Sequence, residues 1–376
     1  MQPVIPGRPA GPDPESITTN RAYGFRAPHF ARPRNDAVAL VFALLTLLTL
    51  CASAQTSPRQ PEPPVKIEVR AKPIAAFEPR DPSRVRFGAL TFRGGIELTS
   101  PHPEFGGISA IRVAADGARF LAVTDKGRWL RGRIVYEGTR PAGIADAEMA
   151  PVLGPDGRAL AARGWYDTEA IAKDGGTVWL GIERVNRIVR VDVGRNGLLA
   201  RAQPITVPPG IQRLPHNKGL ECLDFVPRGL PLGGTLIGIS ERALDREGNI
   251  RGFLLGGPGL GASGPGEFSV KRIGDFDVTD CAVTPTGDLL LLERSFSRFK
   301  GAGMRIRRVP LTNVTPGATV DGPVLFEADM GYQIDNMEAL SVHRAPDGAL
   351  VATLMSDDNF SALQRTLLLQ FTLAEP

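Results

Sequence analysis

Acidic residues recur at matching places along this chain, and they are the groups with which it could do chemistry. The stretch DNMEALSVHRAPDGALVATLMSDDNF, from Asp335 to Phe360, sets Glu338 ahead of one apolar run and Asp357 and Asp358 behind the next. Four other stretches share this form: GGISAIRVAADGARFLAVTDKG from Gly106, DTEAIAKDGGTVWLGIER from Asp167, NKGLECLDFVPRGLPLGGTLIGISER from Asn217 and DVTDCAVTPTGDLLLLERSFS from Asp277. Aligned, they put Ser109, Glu169, Glu221, Asp280 and Glu338 at a first position and Asp125, Glu183, Glu241, Glu293 and Asp357 at a second. Carboxylates crowded at low dielectric repel one another unless a hard cation such as calcium compensates, and a bound cation with Lys and Arg nearby suits an anionic substrate, phosphate in particular. The competing reading is structural: repeat acids pair with Arg or cap backbone amides and fix one unit to the next. For any single acid the structural reading is the stronger; for the set, a pocket is.

The elements that must carry these residues follow from the repeat. Successive units are about 52 to 64 residues apart, too long for a helical solenoid and suited to one four-stranded propeller blade with loops. Each acid pair is followed by further short apolar or alternating runs between turn signals, such as RIVRVDV after Glu183, IRGFLLGG after Glu241 and MRIRRVP after Glu293. The last unit has three strands and ends in RTLLLQFTL, while VRFGALTFRGGIEL ahead of the first unit has no partner. This predicts an all-β propeller of five four-stranded blades, the ring closed by the N-terminal strand joining the C-terminal blade; a sixth blade would have to hide among irregular units. In such a ring the first strand of each blade lines the central channel, so a position repeated in every unit becomes a ring of side chains at one mouth.

Composition narrows the setting. The chain has 376 residues, 43 Gly and 33 Pro, which predicts many turns and few long helices. A formal net charge of +4, without basic runs interleaved with aromatics, gives a nucleic-acid partner little support. Arg32 and Arg34 precede the apolar run Ala37 to Leu50, and Ala52-Ser53-Ala54 follows it. Residues 1–54 therefore read as a signal peptide cut before Gln55, with a periplasmic or secreted product and no transmembrane helix in the mature chain. The alternatives are an uncleaved anchor and a lipid-attachment site at Cys51, the latter disfavoured by the bulky Leu50. Residues 55–84 are rich in Pro and charge and read as a linker or arm without a core of its own, and 85–376 as the propeller domain. Cys222 and Cys281 either bridge or serve as two small core residues.

Other chemistries fail on context. GLGASG from Gly259 has dinucleotide glycine spacing but sits between prolines with a strand-like run after it, so it reads as a loop and no nucleotide cofactor is expected. No G-x-S-x-G elbow occurs, which disfavours Ser-based acyl transfer. The four His residues are scattered, leaving a His-based transition-metal site unsupported; His216 alone lies near the expected mouth.

NKGLECLDF, ERSFSR, DNMEALSV and SDDNFSALQRTLLLQF together resemble the bacterial phytase-like domain family, described as having esterase-like activity of the phytase type, from about Phe87 to Leu373. The resemblance implies an exported propeller hydrolase acting on phosphate or other esters. It points to Asn217, Lys218, Glu221, Glu293, Arg294, Ser295, Asn336, Glu338, Asp357, Asp358, Asn359, Gln364 and Arg365. The chain departs from the family at Cys222 and Cys281, where a small residue is more usual, and at Ser109, which thins the acid ring. With the repeat reading, this makes Glu338, Glu221 and Glu293 the catalytic candidates. Lys218, Arg294, Arg365, Asn359 and His216 are the substrate-binding candidates, and Glu169, Glu221, Asp280, Glu338, Asp357 and Asp358 the ligands of a suspected calcium ion. The partner expected is a small anionic or ester substrate. A noncatalytic binding propeller of the cell envelope and a lactonase-like metal-dependent hydrolase are the alternatives.

Overall fold

The computed structural model describes residues 62–256 and 266–375. The signal-peptide reading, Cys51 and the whole of GLGASG lie outside the described residues.

Five sheets follow one another around the ring, the blades of the first four having their strands in sequence order from the channel outwards. Blade 1 runs Ile108–Val113, Arg119–Thr124, Arg128–Glu137 and Arg140–Pro151; blade 2 runs Thr168–Asp174, Thr177–Ile182, Arg187–Asp192 and Gln203–Pro204. Blade 3 comprises Leu220–Phe225, Leu236–Leu244, Ile250–Leu255 and Gly266–Val270, and blade 4 comprises Asp277–Val283, Asp288–Ser297, Gly301–Pro310 and Val324–Ala328. Blade 5 takes Asn336–Arg344, Leu350–Asp357 and Thr366–Leu373 from the C-terminus and its fourth strand, Leu90–Thr99, from the N-terminal side of blade 1. The protein is thus an all-β, five-bladed propeller of four-stranded blades, closed as the sequence predicts.

Five apolar cores fill the five seams between neighbouring blades. Each blade is therefore buried on both faces, which is why runs such as Leu289–Leu292 and Leu367–Leu369 are apolar at consecutive positions rather than alternating. The stretch preceding residue 85 is an arm, and it is integrated into the ring. Val65–Lys66 pairs with the outer strand of blade 1, Arg70–Ile74 pairs with Leu90–Thr99, and Phe77 is fully buried against Phe87, Phe92 and Phe371. An arm too short to form a core of its own contributes a plug to the seam between blades 4 and 5.

Cys222 and Cys281 form a disulfide between the inner strands of blades 3 and 4, with their Cα atoms 5.3 Å apart. The bridge stitches one seam next to the channel.

Candidate functional site at the acidic mouth

In every blade the pairing of the inner strand with the second strand skips one inner residue, and it does so at the same level. The skipped residues are Ser109, Glu169, Glu221, Thr279 and Glu338. A bulge leaves its extra residue out of the ladder and re-aims its side chain, so five bulges at one level gather five side chains around the throat. At the same level the second strands bring Asp125, Glu183, Glu241, Arg294 and Asp357 to the mouth. Backbone bonds brace this rim: the N–H of Asp125 donates to Gly107 O at 3.0 Å, that of Glu183 to Asp167 O at 2.8 Å, and that of Glu241 to Gly219 O at 2.8 Å.

Glu183, Glu221 and Glu241 each offer a carboxylate oxygen within 4.8 Å of the others. Two oxygens that share one calcium ion at about 2.4 Å are at most about that far apart, so the trio fits a hard cation, and its all-oxygen donors suit calcium better than zinc. Glu183 also accepts the Gly219 N–H at 2.7 Å, which fixes its orientation. Across the mouth, Arg294 pairs with Glu338 at 3.1 Å and reaches Glu241 at 3.9 Å, while Asn336 donates to Glu338 at 2.7 Å.

The charge here is poorly balanced. Burial pushes the Glu338 carboxyl up to about 8, with Arg294 opposing and Asp357 reinforcing the shift. Burial, aided by Asp167 and Glu241, raises Glu183 to about 7, and burial with Asp357 nearby raises Asp125 to about 6. Glu169 is held well above the usual carboxylate range by burial and by the charge of Glu338, and Glu221 by burial and by the charge of Glu169. Lys218 lies close enough to Glu183 and Glu241 to favour their ionised forms. Such a cluster is a strong sink for positive charge.

Of the residues singled out from sequence, Glu169, Glu221, Glu338, Asp357, Lys218 and Arg294 do converge here. Asp280 does not. The bulged residue of blade 4 is Thr279, and Asp280 points instead into the channel core, accepting the N–H groups of Leu340 and Cys281 at 2.7 Å each and pairing with Arg112 at 3.2 Å. It is a structural acid, not a metal ligand.

Glu293 likewise belongs to the blade and not to the mouth. It faces the third strand, where Arg307 donates to both of its oxygens, with Nε at 2.9 Å, and Arg305 stands 3.5 Å away; Glu293 and Arg307 are fully buried. Its catalytic assignment falls, and its neighbour Arg294 holds the position that an acid takes in the other four blades. Asp358 is also committed elsewhere. Its carboxylate accepts the N–H of Gly107 and the hydroxyl of Thr366, both at 2.9 Å, and that of Phe360 N–H at 3.0 Å, tying blade 5 to blade 1. Gly106 must be glycine for this latch, since a Cβ there would lie 2.6 Å from Asp358 Oδ1.

Arg365 donates to Gln333 Oε1 and Ile334 O, both at 2.9 Å, and so buttresses the approach to blade 5 rather than reaching into the mouth. Asn359 sits at φ 48°, bonded through its N–H to Asp357 Oδ1 at 2.7 Å and through Nδ2 to Gln364 at 3.2 Å. His216 lies on the exposed rim, 2.5 Å from Arg184. Asp125, Glu183 and Glu241 stand in the aligned second set but not among the catalytic, substrate-binding or metal candidates, so of the cation trio only Glu221 is named as a ligand from sequence; Thr279 and Asp167, which complete the mouth, are not singled out there at all. Matching the apolar residue before each acid, Leu220-Glu221 and Met337-Glu338 against Val278-Thr279, is the signal that would have found Thr279.

Fold and site together define a five-bladed propeller with a carboxylate-lined mouth. The chain matches the family described as "Phytase-like: Esterase-like activity of phytase" over residues 103–360, and it belongs to that family. No curated protein matches the sequence. Solved structures similar to it include the PQQ-bound aldose sugar dehydrogenase of Streptomyces coelicolor, at 12% identity, covering 83% of this chain and 99% of that one with TM-score 0.39. The glutaminyl cyclase of Myxococcus xanthus, at 11% identity, covers 71% and 97% with TM-score 0.35. A chain of a nidogen/laminin complex, at 12% identity, covers 77% and 97% with TM-score 0.38. Likeness at this level carries no argument about function.

Proposed function

We propose that the chain is an exported hydrolase of a phosphoester or related ester, working at the acidic mouth with a divalent cation, calcium by its donor set. The observation that carries this reading is the convergence of Glu183, Glu221 and Glu241 oxygens within 4.8 Å. It is supported by the raised carboxyls around them, which a bound cation would relieve. When bound, the cation supplies positive charge that polarises a phosphoryl or carbonyl oxygen. Arg294, held by Glu338 and Asn336, presents a guanidinium fork to an anionic group of the substrate. Glu338 stands outside the cation trio and is the carboxyl placed to give or take a proton there. The disulfide accords with an oxidising compartment. No helix among the described residues is long and apolar enough to cross a membrane.

The test is turnover of phytate, a simple phosphomonoester and a carboxylic ester by the purified chain, with calcium and with chelator, beside calorimetric calcium binding. We expect calcium-dependent product release, and in Glu221→Gln a loss of calcium affinity of at least about tenfold, as even residues behind metal ligands cost that much. Calcium binding without turnover of any ester would favour a noncatalytic binding propeller.

A further inference from the structure

The second strand of blade 4 does not stop at the mouth. In blades 1, 2 and 5 the second strand ends at Thr124, Ile182 and Asp357, at or just before the level of the mouth, whereas in blades 3 and 4 it runs three residues further, past Glu241 to Leu244 and past Arg294 to Ser297, and in blade 4 it turns back at Gly301. Three residues at about 3.3 Å each lift the turn by about 10 Å above the acidic ring. The projecting segment, residues 294–303, reads RSFSRFKGAG: it carries Arg294, Arg298 and Lys300 and no acid. Phe299 at the tip is 99% exposed and Phe296 beside it 73%. Met330 packs at the base of the hairpin against Gly301 and is half exposed, and Leu363, on the matching loop of blade 5, is 94% exposed. The two most exposed large apolar side chains of the described residues thus stand on the mouth face, on neighbouring blades. Nothing in the fold explains this, because neither contributes to a seam.

Apolar tips on a protruding hairpin, flanked by free cations, match a bilayer interface. Phe and Leu enter the boundary between headgroups and acyl chains, while Arg and Lys extend to the phosphates. A flat protein interface would instead bury its aromatic anchors in a packed, complementary patch. We infer that the mouth face at blades 4 and 5 docks on an anionic phospholipid surface, with Phe296 and Phe299 inserted, Arg298 and Lys300 on the headgroups, and Leu363 as a second point of contact. Docking there would set the acidic mouth facing the bilayer, about 10 Å from the turn.

The experiment is co-sedimentation of the full chain with vesicles containing phosphatidylglycerol and with vesicles of phosphatidylcholine alone. Two variants accompany it, F296S/F299S and R298Q/K300Q, both of which should fold because they touch only exposed side chains. Binding to the anionic vesicles is expected to fall at least tenfold in F296S/F299S and to fall, with loss of its salt sensitivity, in R298Q/K300Q. A separate F299W variant should gain, over the wild type with its three native Trp, an emission component that shifts to the blue on adding anionic vesicles, and that difference reports on the hairpin. Equal binding by wild type and F296S/F299S, or no emission shift in F299W, overturns the inference. So does a wild type that ignores vesicles but self-associates in a way that F296S/F299S abolishes, since the hairpin would then dock on protein.

Discussion

Glu293 and Arg294 are adjacent in sequence and end on opposite faces of one strand. Glu293 enters a buried, bidentate pair with Arg307, while Arg294 turns to the mouth and meets Glu338. Removing one partner of a buried pair leaves the other charge uncompensated, at a typical cost of about 3–5 kcal/mol. Glu293→Gln is therefore expected to destabilise by about that amount in urea unfolding, with calcium binding by the folded fraction unchanged. Glu221→Gln should do the reverse, losing calcium and, with chelator present, melting no lower than wild type, because it removes a carboxylate from a crowded, buried set. A lowered chelator-treated melt for Glu221→Gln would mean that this acid is structural. The residue types of the site were legible from the repeat, but which of two neighbouring acids faced the throat was not. In a strand a shift of one residue exchanges the faces.

The bulge decides that shift at the level of the element. All five inner strands carry it at the same level, so that Ser109, Glu169, Glu221, Thr279 and Glu338 share a ring although only three of them are acids. Spacing alone cannot reveal a skipped residue, because the count along the chain is the same with or without it. The disulfide acts between elements. It closes a loop with a sequence separation of 59 residues and joins two inner strands that otherwise meet through packing and through the Val283 N–H, which donates to Asp224 at 2.7 Å. Chain-entropy reasoning gives such a closure roughly 4 kcal/mol, and measured values run at about 2–4 kcal/mol. Replacing Cys222 and Cys281 by Ala together should lower unfolding stability within that range. An unchanged denaturation midpoint would show that the bridge does not constrain the unfolded chain.

For the whole molecule, Arg112 is the knot at the centre of the ring. It donates to Ile111 O in its own blade, to Leu223 O in blade 3, to Cys281 O in blade 4 and to Leu340 O in blade 5, and it pairs with Asp280 and Asp224. That knot ties four of the five inner strands together across the channel. The acids at the mouth make stability depend on pH. Asp125, Glu183 and Glu338 titrate near 6, 7 and 8 in the folded state, against ordinary values of 3.8, 4.5 and 4.5. Between these limits the folded state holds more protons than the unfolded one, so stability falls as pH rises. With chelator, the melting temperature should be higher at pH 5.5 than at pH 8.5, and added calcium should recover most of the difference. A chelator-treated melt that rises towards pH 8.5 would show that these carboxyls are ionised without cost.

The sequence by itself determined the repeat, the strands, the closure of the ring by an N-terminal strand and the presence of acids at blade ends. Each of these is written in local patterns of apolar residues and turns. Only the tertiary structure decided that Asp280 and Glu293 lie off the mouth, that Arg294 and Thr279 take their places, and that Asp358 latches two blades. Those outcomes depend on which blade face each side chain meets across a seam, and that is fixed by bulges and by neighbours far away in sequence. The same holds for Phe77, which lies in a segment too polar to build a core and is buried because blades 4 and 5 leave a space for it.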